Sequence, residues 1–129
     1  MKVTQIYTGP DKRSHFRDLT VPTAVVPDSQ REMLEYLPST GAGVSEGSVS
    51  GSSHDFHNAP RRQFVAILMG GLQIETGDGT QRRFAPGDIF LAEDLDGQGH
   101  KTTNTELPTR LLYVYVPDDF DAGAWQTRV

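Results

Sequence analysis

Two short stretches concentrate the side chains that could do chemistry. Residues 54–64 read HDFHNAPRRQF, which places two histidines, two arginines and a glutamine directly before an apolar run. A polar loop at 93–99, EDLDGQG, ends next to a further histidine, His100. Imidazole nitrogens bind divalent metals and also exchange protons near neutral pH. The residue types therefore leave a metal site and an acid–base site open.

Side chains alternate between the two faces of an extended backbone, and this alternation sorts the residues into two groups that each share a face. One group precedes the apolar run: His57, Ala59, Arg61 and Gln63. The other group follows the glycine loop: His100, Thr102 and Asn104. His54 has the opposite parity to His57, so we interpret it as a surface residue, and Pro60 predicts a bulge or an edge here. We expect the two groups to face each other as a polar cluster that needs a ligand, metal or water as partner.

Composition limits the class of protein. The chain has 129 residues, 36% apolar and 22% charged, with a formal net charge of −5 and no cysteine. This size and composition predict one soluble domain, and the absence of a basic cluster argues against nucleic acid as a partner. Residues 1–20 contain no apolar leader, and the apolar run at 64–69 is too short to cross a bilayer. We expect a cytoplasmic protein that does not bind a membrane.

Short apolar runs separated by glycine and proline predict an all-β fold. The predicted strands are 3–7, 42–49, 63–69, 72–76, 80–84, 89–92, 100–104 and 110–116. Gly70-Gly71 predicts a hairpin turn, as does Asp78-Gly79, and Pro86-Gly87-Asp88 turns the chain into the strand at 89–92. Strands of this length and spacing are typical of an antiparallel sandwich or barrel.

The ends of the chain carry weaker patterns. We expect residues 9–30 to form an extended arm or loop, and 29–37, SQREMLEYL, to be the one short helix. The predicted organisation is a single domain, 1–129, with an N-terminal arm and edge strands at 1–40, a barrel core at 42–116 and a tail at 117–129. In the tail, Phe120 and Trp125 either pack on the body or fray.

The order of features from His57 to Asn104 resembles the cupin superfamily. The first cupin motif has two histidines one residue apart, then a glutamate and a glycine; here these positions hold His57, Ala59, Gln63 and Gly70. The second motif is matched by Gly97, His100 and Asn104, with Leu95 where the motif has proline. The resemblance covers about 57–116. It implies a jelly-roll (double-stranded β-helix) barrel of antiparallel strands, with a site inside the barrel.

The departures from the cupin motifs affect whether the site can bind a metal. Metal-binding cupins use three histidines and a glutamate, a set suited to Fe, Mn, Ni or Zn. Only His57 and His100 remain here, with Gln63 as a neutral and weak third candidate. The tentative ligands are therefore these three residues, and a metal-free site is the preferred interpretation.

The resemblance implies a small organic molecule as the ligand. The first hypothesis is an enzyme that performs acid–base chemistry on a small carbonyl compound, such as isomerisation, cyclisation, dehydration or decarboxylation. His57, His100 and Gln63 are the candidate catalytic residues. One imidazole would take the proton, while the other imidazole or Gln63 would hold the developing oxyanion. The alternatives are a non-catalytic binding module and a metal-dependent oxygenase with an incomplete ligand set.

The remaining candidates are assigned to substrate binding: Arg61, Asn104, Tyr113 and Tyr115. One of Arg61 and Arg62 could reach a substrate carboxylate through its guanidinium fork, although either arginine could equally pair with an acidic side chain. Glu93 and Asp94 are interpreted as loop carboxylates, with Glu93 able to pair with the histidine loop. Cupins commonly pair through sheet edges, so the resemblance also implies a homodimer.

Overall fold

A computed structural model describes residues 1–48, 51–52 and 55–125. The described chain forms ten β-strands and a short 3-10 turn, Gly123–Trp125, and has no α-helix. The strands are β1 Lys2–Thr8, β2 Ser14–Thr20, β3 Ala24–Val25, β4 Glu32–Met33, β5 Gly41–Gly47, β6 Gly51–Ser52, β7 Gln63–Glu75, β8 Gln81–Phe84, β9 Ile89–Ala92 and β10 Lys101–Tyr115. The all-β prediction is confirmed.

Eight strands form one sheet, in which six pair in the order β2-β1-β9-β7-β10-β5, while β6 pairs with β10 and β8 with β7 off this path. Strands β1 and β9 pair in parallel, through Thr4 to Phe90 and Ile6 to Ala92, whereas their neighbours pair antiparallel. The end strands of the path, β2 and β5, do not pair with each other. The described sheet is therefore mixed and open, which corrects the prediction of a closed, wholly antiparallel barrel.

The predicted hairpin at Gly70-Gly71 is wrong. Strand β7 continues through both glycines, and its ladder with β10 shifts register at this point. Gly70 has a φ of +77°, and a Cβ there would lie 2.5 Å from the carbonyl oxygens of Glu106 and Pro108. The glycine is needed because two backbones approach closely at a bulge, not because the chain reverses.

The N-terminal predictions need two corrections. Within the expected arm at 9–30, β2 pairs along its whole length with β1 of the same chain. The expected helix at 29–37 is absent, since β4 within it pairs with β3 as a separate two-stranded sheet. Leu34 and Leu37 pack against an apolar cluster, while Met33 remains half exposed. A helix of one or two turns has little stability of its own, so the free energy gained from these two contacts decides the conformation.

Two apolar clusters hold the sheet together, one on each face. Neighbouring residues of β7 contribute to different clusters: Val65 packs with Ile6, Ile74 and Phe90, whereas Phe64 packs with Leu19 and Trp125. This division follows from the alternation of side chains along a strand. Phe120 and Trp125 pack edge to face beside Phe64, which settles that the described tail packs on the body.

No helix in the described part of the chain has the length and apolar character that crossing a membrane requires.

Candidate functional site

A cavity of about 340 Å³ opens on the face of the sheet that carries Val65. Strands β7, β9 and β10 supply its apolar wall, which includes Val65, Leu72 and Phe90. The polar side chains that line it come from residues 57–63 and from β10 and the residue before it: His57, Arg61, Gln63, His100, Thr102, Tyr113 and Tyr115. We refer to this space as the central cavity. It has the mixed lining typical of small-molecule sites.

Backbone pairing brings the two candidate histidines together. The amide N–H groups of His57 and His100 each donate to the other residue's carbonyl oxygen at 2.9 Å. Their rings lie 4.9 Å apart between centroids. Gly99 permits this approach, because its φ is +80° and a Cβ there would lie 2.1 Å from the His57 carbonyl oxygen. The glycine that ends the polar loop is therefore required by a backbone contact.

Asp94 fixes the orientation of His100. The Nδ1 of His100 lies 2.5 Å from Oδ2 of Asp94, whose side chain is fully buried. An ionised carboxylate only accepts hydrogen bonds, so in the neutral form of the ring Nδ1 carries the proton and Nε2 the lone pair. No protein group in the described residues bonds Nε2. The pair therefore leaves one ring nitrogen with a lone pair in a residue that lines the central cavity.

Gln63 is a second polar group in the cavity wall. Only 7% of the residue is exposed, yet its side-chain amide has no hydrogen-bond partner among the described residues. Because the residue lines the central cavity, a ligand there could bond its amide. Its two N–H groups and one carbonyl oxygen could then meet a carbonyl or hydroxyl group.

Arg61 and two tyrosines lie along the cavity wall. The guanidinium carbon of Arg61 lies 4.3 Å from the centre of the Tyr115 ring, a stacking geometry. The hydroxyl groups of Tyr113 and Ser45 are 2.8 Å apart. Gly43 leaves room for the Tyr115 hydroxyl, because a Cβ there would lie 2.4 Å from it. Strand β5 therefore supports the tyrosines from outside the cavity.

Most of the predicted site residues come together. His57, Ala59, Arg61 and Gln63 all line the central cavity, as do His100, Thr102, Tyr113 and Tyr115. Asn104 does not line the cavity; it pairs with Leu72 in the β10–β7 ladder, close to the register shift. Alternation from His100 reaches Thr102 but not Asn104. His54 lies outside the described residues.

The donor set does not suit a divalent metal. Among the described residues, no group of three or more histidine, aspartate or glutamate side chains is arranged to hold an ion. Ala59 has no donor atom, whereas Nε2 of His100 stays available because only Nδ1 is bonded to Asp94. Two imidazoles and a neutral amide provide no anionic ligand, which makes this a weak set for a divalent cation.

Neighbouring turns hold the loop that carries Asp94 and His100. The Asn58 side chain donates to the carbonyl oxygens of Asp96 and Gly97 at 3.0 and 3.1 Å. The Ser14 hydroxyl donates to the Gly99 carbonyl at 2.7 Å and accepts from the Gly77 N–H at 2.8 Å. The loop is therefore fixed by the β1–β2 region and by the turn after β7.

A second histidine cluster lies beside these turns. His15 contacts Asp78 through Nδ1 at 3.1 Å and Asp11 through Nε2 at 3.0 Å, and its ring stacks on Tyr7. The hydrogen bond to Asp11 and the charges of both carboxylates raise the pKa of His15, although desolvation opposes them. The same hydrogen bond lowers the pKa of Asp11. Desolvation raises the pKa of Asp78, but hydrogen bonds from Thr76 and Thr80 outweigh it and the net shift is downward.

Arg62 and Glu93 form an ion pair away from the cavity lining. Glu93 accepts from Arg62, and also from the Gln5 amide at 2.6 Å. Arg17 donates to Gln5 at 2.8 Å and extends the chain of bonds. Of the two neighbouring arginines, Arg62 is therefore the one paired with an acidic side chain.

From the sequence, Asp94 is interpreted only as a loop carboxylate and Glu93 is expected to pair with the histidine loop, whereas Asp94 is the one that bonds His100. The sequence pattern does not single out His15. For Asp94, the available signal was its position six residues before His100, across a loop that contains Gly97 and Gly99. A loop of this length can fold back and bring the two side chains into contact. No local signal marks His15, because Asp11, His15 and Asp78 meet only through tertiary contacts.

Comparison with known proteins adds little to the geometry. No protein family and no curated protein matches the chain. A crystal structure of protein NMB1881 from Neisseria meningitidis aligns at a TM-score of 0.46 and 11% identity, over 57% of this chain and 71% of the other.

Proposed function

We propose that this chain binds a small carbonyl compound in the central cavity and catalyses proton transfer on it. The observation that carries the proposal is the Asp94–His100 pair, which holds one imidazole nitrogen with a lone pair in the cavity wall. Beside it, the unpartnered amide of Gln63 is placed to bond an oxygen. A base and a hydrogen-bond donor are the two groups that removal of a proton next to a carbonyl requires.

In the proposed reaction, Nε2 of His100 removes a proton from the carbon next to the carbonyl. The electron pair moves to the carbonyl oxygen, which becomes an enolate oxygen that accepts a hydrogen bond from Gln63 or His57. Asp94 stabilises the imidazolium that forms, because the positive ring stays bonded to a carboxylate. Return of the proton to a different carbon gives isomerisation. In a substrate with a hydroxyl group on the next carbon, that C–O bond breaks instead and the His100 imidazolium returns its proton to the departing oxygen, which gives water and the dehydrated product.

The cupin resemblance supports this proposal, since it places His57 and His100 in the positions of cupin site histidines. We further propose that the sheet is a cupin-like jelly roll, that the protein is cytoplasmic, and that it forms a homodimer. Strand β5 ends the sheet path and carries Val44 with 72% exposure, which supports pairing at that edge. Light scattering at micromolar concentration tests the dimer; a strict monomer contradicts it.

Deuterium exchange tests the proposed reaction. A panel of small ketones, aldehydes and oxo acids is incubated with the protein in D₂O, and loss of acidic C–H signals is followed by proton NMR. The His100→Gln variant should lower the exchange rate by about 10²–10⁴-fold. The matched control is His15→Gln, because this histidine does not line the cavity and should leave the rate unchanged.

Three results have distinct meanings in this experiment. Exchange lost in His100→Gln and retained in His15→Gln supports the enzyme. Binding without exchange of any compound would instead show a non-catalytic binding module. No binding and no exchange across the panel would reject the proposed function. Elemental analysis of the same samples reports whether a metal accompanies the activity.

A further inference from the structure

The charge of the central cavity is opposite to that of the chain. The chain carries a formal net charge of −5. Among the described residues that line the cavity, there is one arginine and no aspartate or glutamate. Glu93 is already paired with Arg62, and Asp94 lies behind His100 and is bonded to it. A ligand entering the cavity therefore meets one fixed positive charge, Arg61.

Arg61 is placed to bind an anion. Its guanidinium stacks on Tyr115 and has no ion-pair or hydrogen-bond partner among the described residues. Stacking on a ring leaves the N–H groups in the guanidinium plane free to form a bidentate bond with a carboxylate. The neighbouring Arg62 lacks this capacity, since Glu93 occupies it.

The other walls define the rest of the ligand. Gln63 and His100 offer polar contacts to one functional group, and Val65, Leu72 and Phe90 offer an apolar surface to a hydrocarbon body. On the basis of the proposed function, we infer that the ligand is a small oxo acid: a monocarboxylate bound by Arg61, whose carbonyl oxygen meets Gln63 and whose acidic C–H faces His100.

Isothermal titration with matched pairs of probes tests this inference. The probes are pyruvate, 2-oxobutyrate and phenylpyruvate, each compared with its uncharged primary amide of nearly the same shape. At low salt, at least one acid should bind the unaltered protein on the order of 10- to 100-fold more tightly than its amide. The advantage should shrink as the salt concentration rises, because the guanidinium is exposed to solvent.

Variants locate the effect. Arg61→Gln should weaken the acid by about tenfold or more and leave the amide unchanged. Arg61→Lys keeps the charge but not the fork, so it should recover only part of the affinity. Arg83→Gln is the control, because Arg83 is exposed on β8 and does not line the central cavity. Thermal unfolding of each variant checks that folding is retained.

The inference and the proposed function fail in different ways. Equal binding of acids and amides, or an acid preference that survives Arg61→Gln, overturns the inference and leaves the carbonyl site in place. Binding of uncharged carbonyl compounds alone has the same meaning. If neither these probes nor the wider carbonyl panel binds, both the inference and the proposed function are rejected.

Discussion

His15 and His100 both lie beside aspartate carboxylates, but they use their ring nitrogens differently. Both nitrogens of His15 contact carboxylates, from Asp11 on one side and Asp78 on the other. Only Nδ1 of His100 does so, through Asp94, and Nε2 has no partner in the described protein. His15 is 25% exposed at its side chain, against 8% for His100.

In the proposed function, this difference distinguishes His100, the base, from His15. An imidazole with a carboxylate on each nitrogen is stabilised in its protonated form and has no lone pair to offer. An imidazole with one carboxylate is held in a single tautomer and can still accept a proton.

The largest effect on the C–H exchange rate should come from Asp94→Asn, with Asp78→Asn as its matched comparison. Asp94→Asn removes the charge that stabilises the His100 imidazolium and can reverse the tautomer, so we expect C–H exchange to fall by about 10²–10⁴-fold. Asp78→Asn alters the His15 cluster and the bonds that Asp78 accepts from Thr76 and Thr80, but none of these residues lines the central cavity, so the exchange rate should stay intact. Proton NMR of both variants decides this, and similar losses in the two would remove the distinction between the histidines.

A smaller effect is expected on stability at the glycines that flank the two clusters. In Gly99→Ala, the new Cβ meets the His57 backbone in a positive-φ conformation, and we expect a loss of roughly 2–4 kcal/mol in the free energy of unfolding. In Gly9→Ala, the Cβ meets the side chains of His15 and Asp11, which can move, so the loss should be about 1 kcal/mol.

Urea unfolding of the two glycine variants provides the measurement. The alanine at position 99 should also separate the rings of His57 and His100 and lower any C–H exchange. An equal and small loss in both variants would show that the backbone at Gly99 can yield, and that the pairing of the two histidines does not depend on the glycine.

The smallest expected effect is a pH dependence at His15. The folded pKa of His15 lies above its ordinary value of 6.5, so its stabilising contribution is full below pH 6.5 and is lost as the pH rises through the folded pKa. Asp11 and Asp78 have folded pKa values below the ordinary 3.8, so their contribution is present above that pH and is lost as the pH falls further.

We therefore expect His15→Gln to lower the unfolding temperature most between about pH 4 and 6.5, and progressively less as the pH is raised beyond the folded pKa of His15. Thermal unfolding across pH, with the unaltered protein alongside, measures the difference. A deficit in His15→Gln that stays constant as the pH rises would mean that the charge of the imidazole has no part in the cluster.

Local pattern predicted many of the strands because each lies between turn-forming residues. Strands β1, β5, β8 and β9 fall within or beside the predicted ranges. The same alternation grouped His57, Arg61 and Gln63, all of which line the central cavity. Asn104 is the exception: it shares the parity of His100 and Thr102 and pairs with Leu72, yet it does not line the cavity.

Errors arose where distant backbone decided the local conformation. Gly70 was interpreted as a hairpin turn because a glycine pair is typical of one, but its requirement comes from Glu106 and Pro108 on β10. The short helix at 29–37 gave way to β4, which pairs with β3 at residues 24–25. In both cases the pairing partner lies on another strand, outside the stretch of sequence whose pattern was interpreted.

The sequence by itself determined the strand-rich character, the acidic charge and the identity of the polar residues near the site, because these depend on composition and short-range alternation. The tertiary structure alone decided that Asp94 holds one nitrogen of His100, that two aspartates contact His15, and that Arg62 has an acidic partner among the described residues whereas Arg61 does not. Hydrogen bonds and ion pairs depend on distances of a few ångströms between segments far apart in the chain. Those distances exist only once the sheet has assembled.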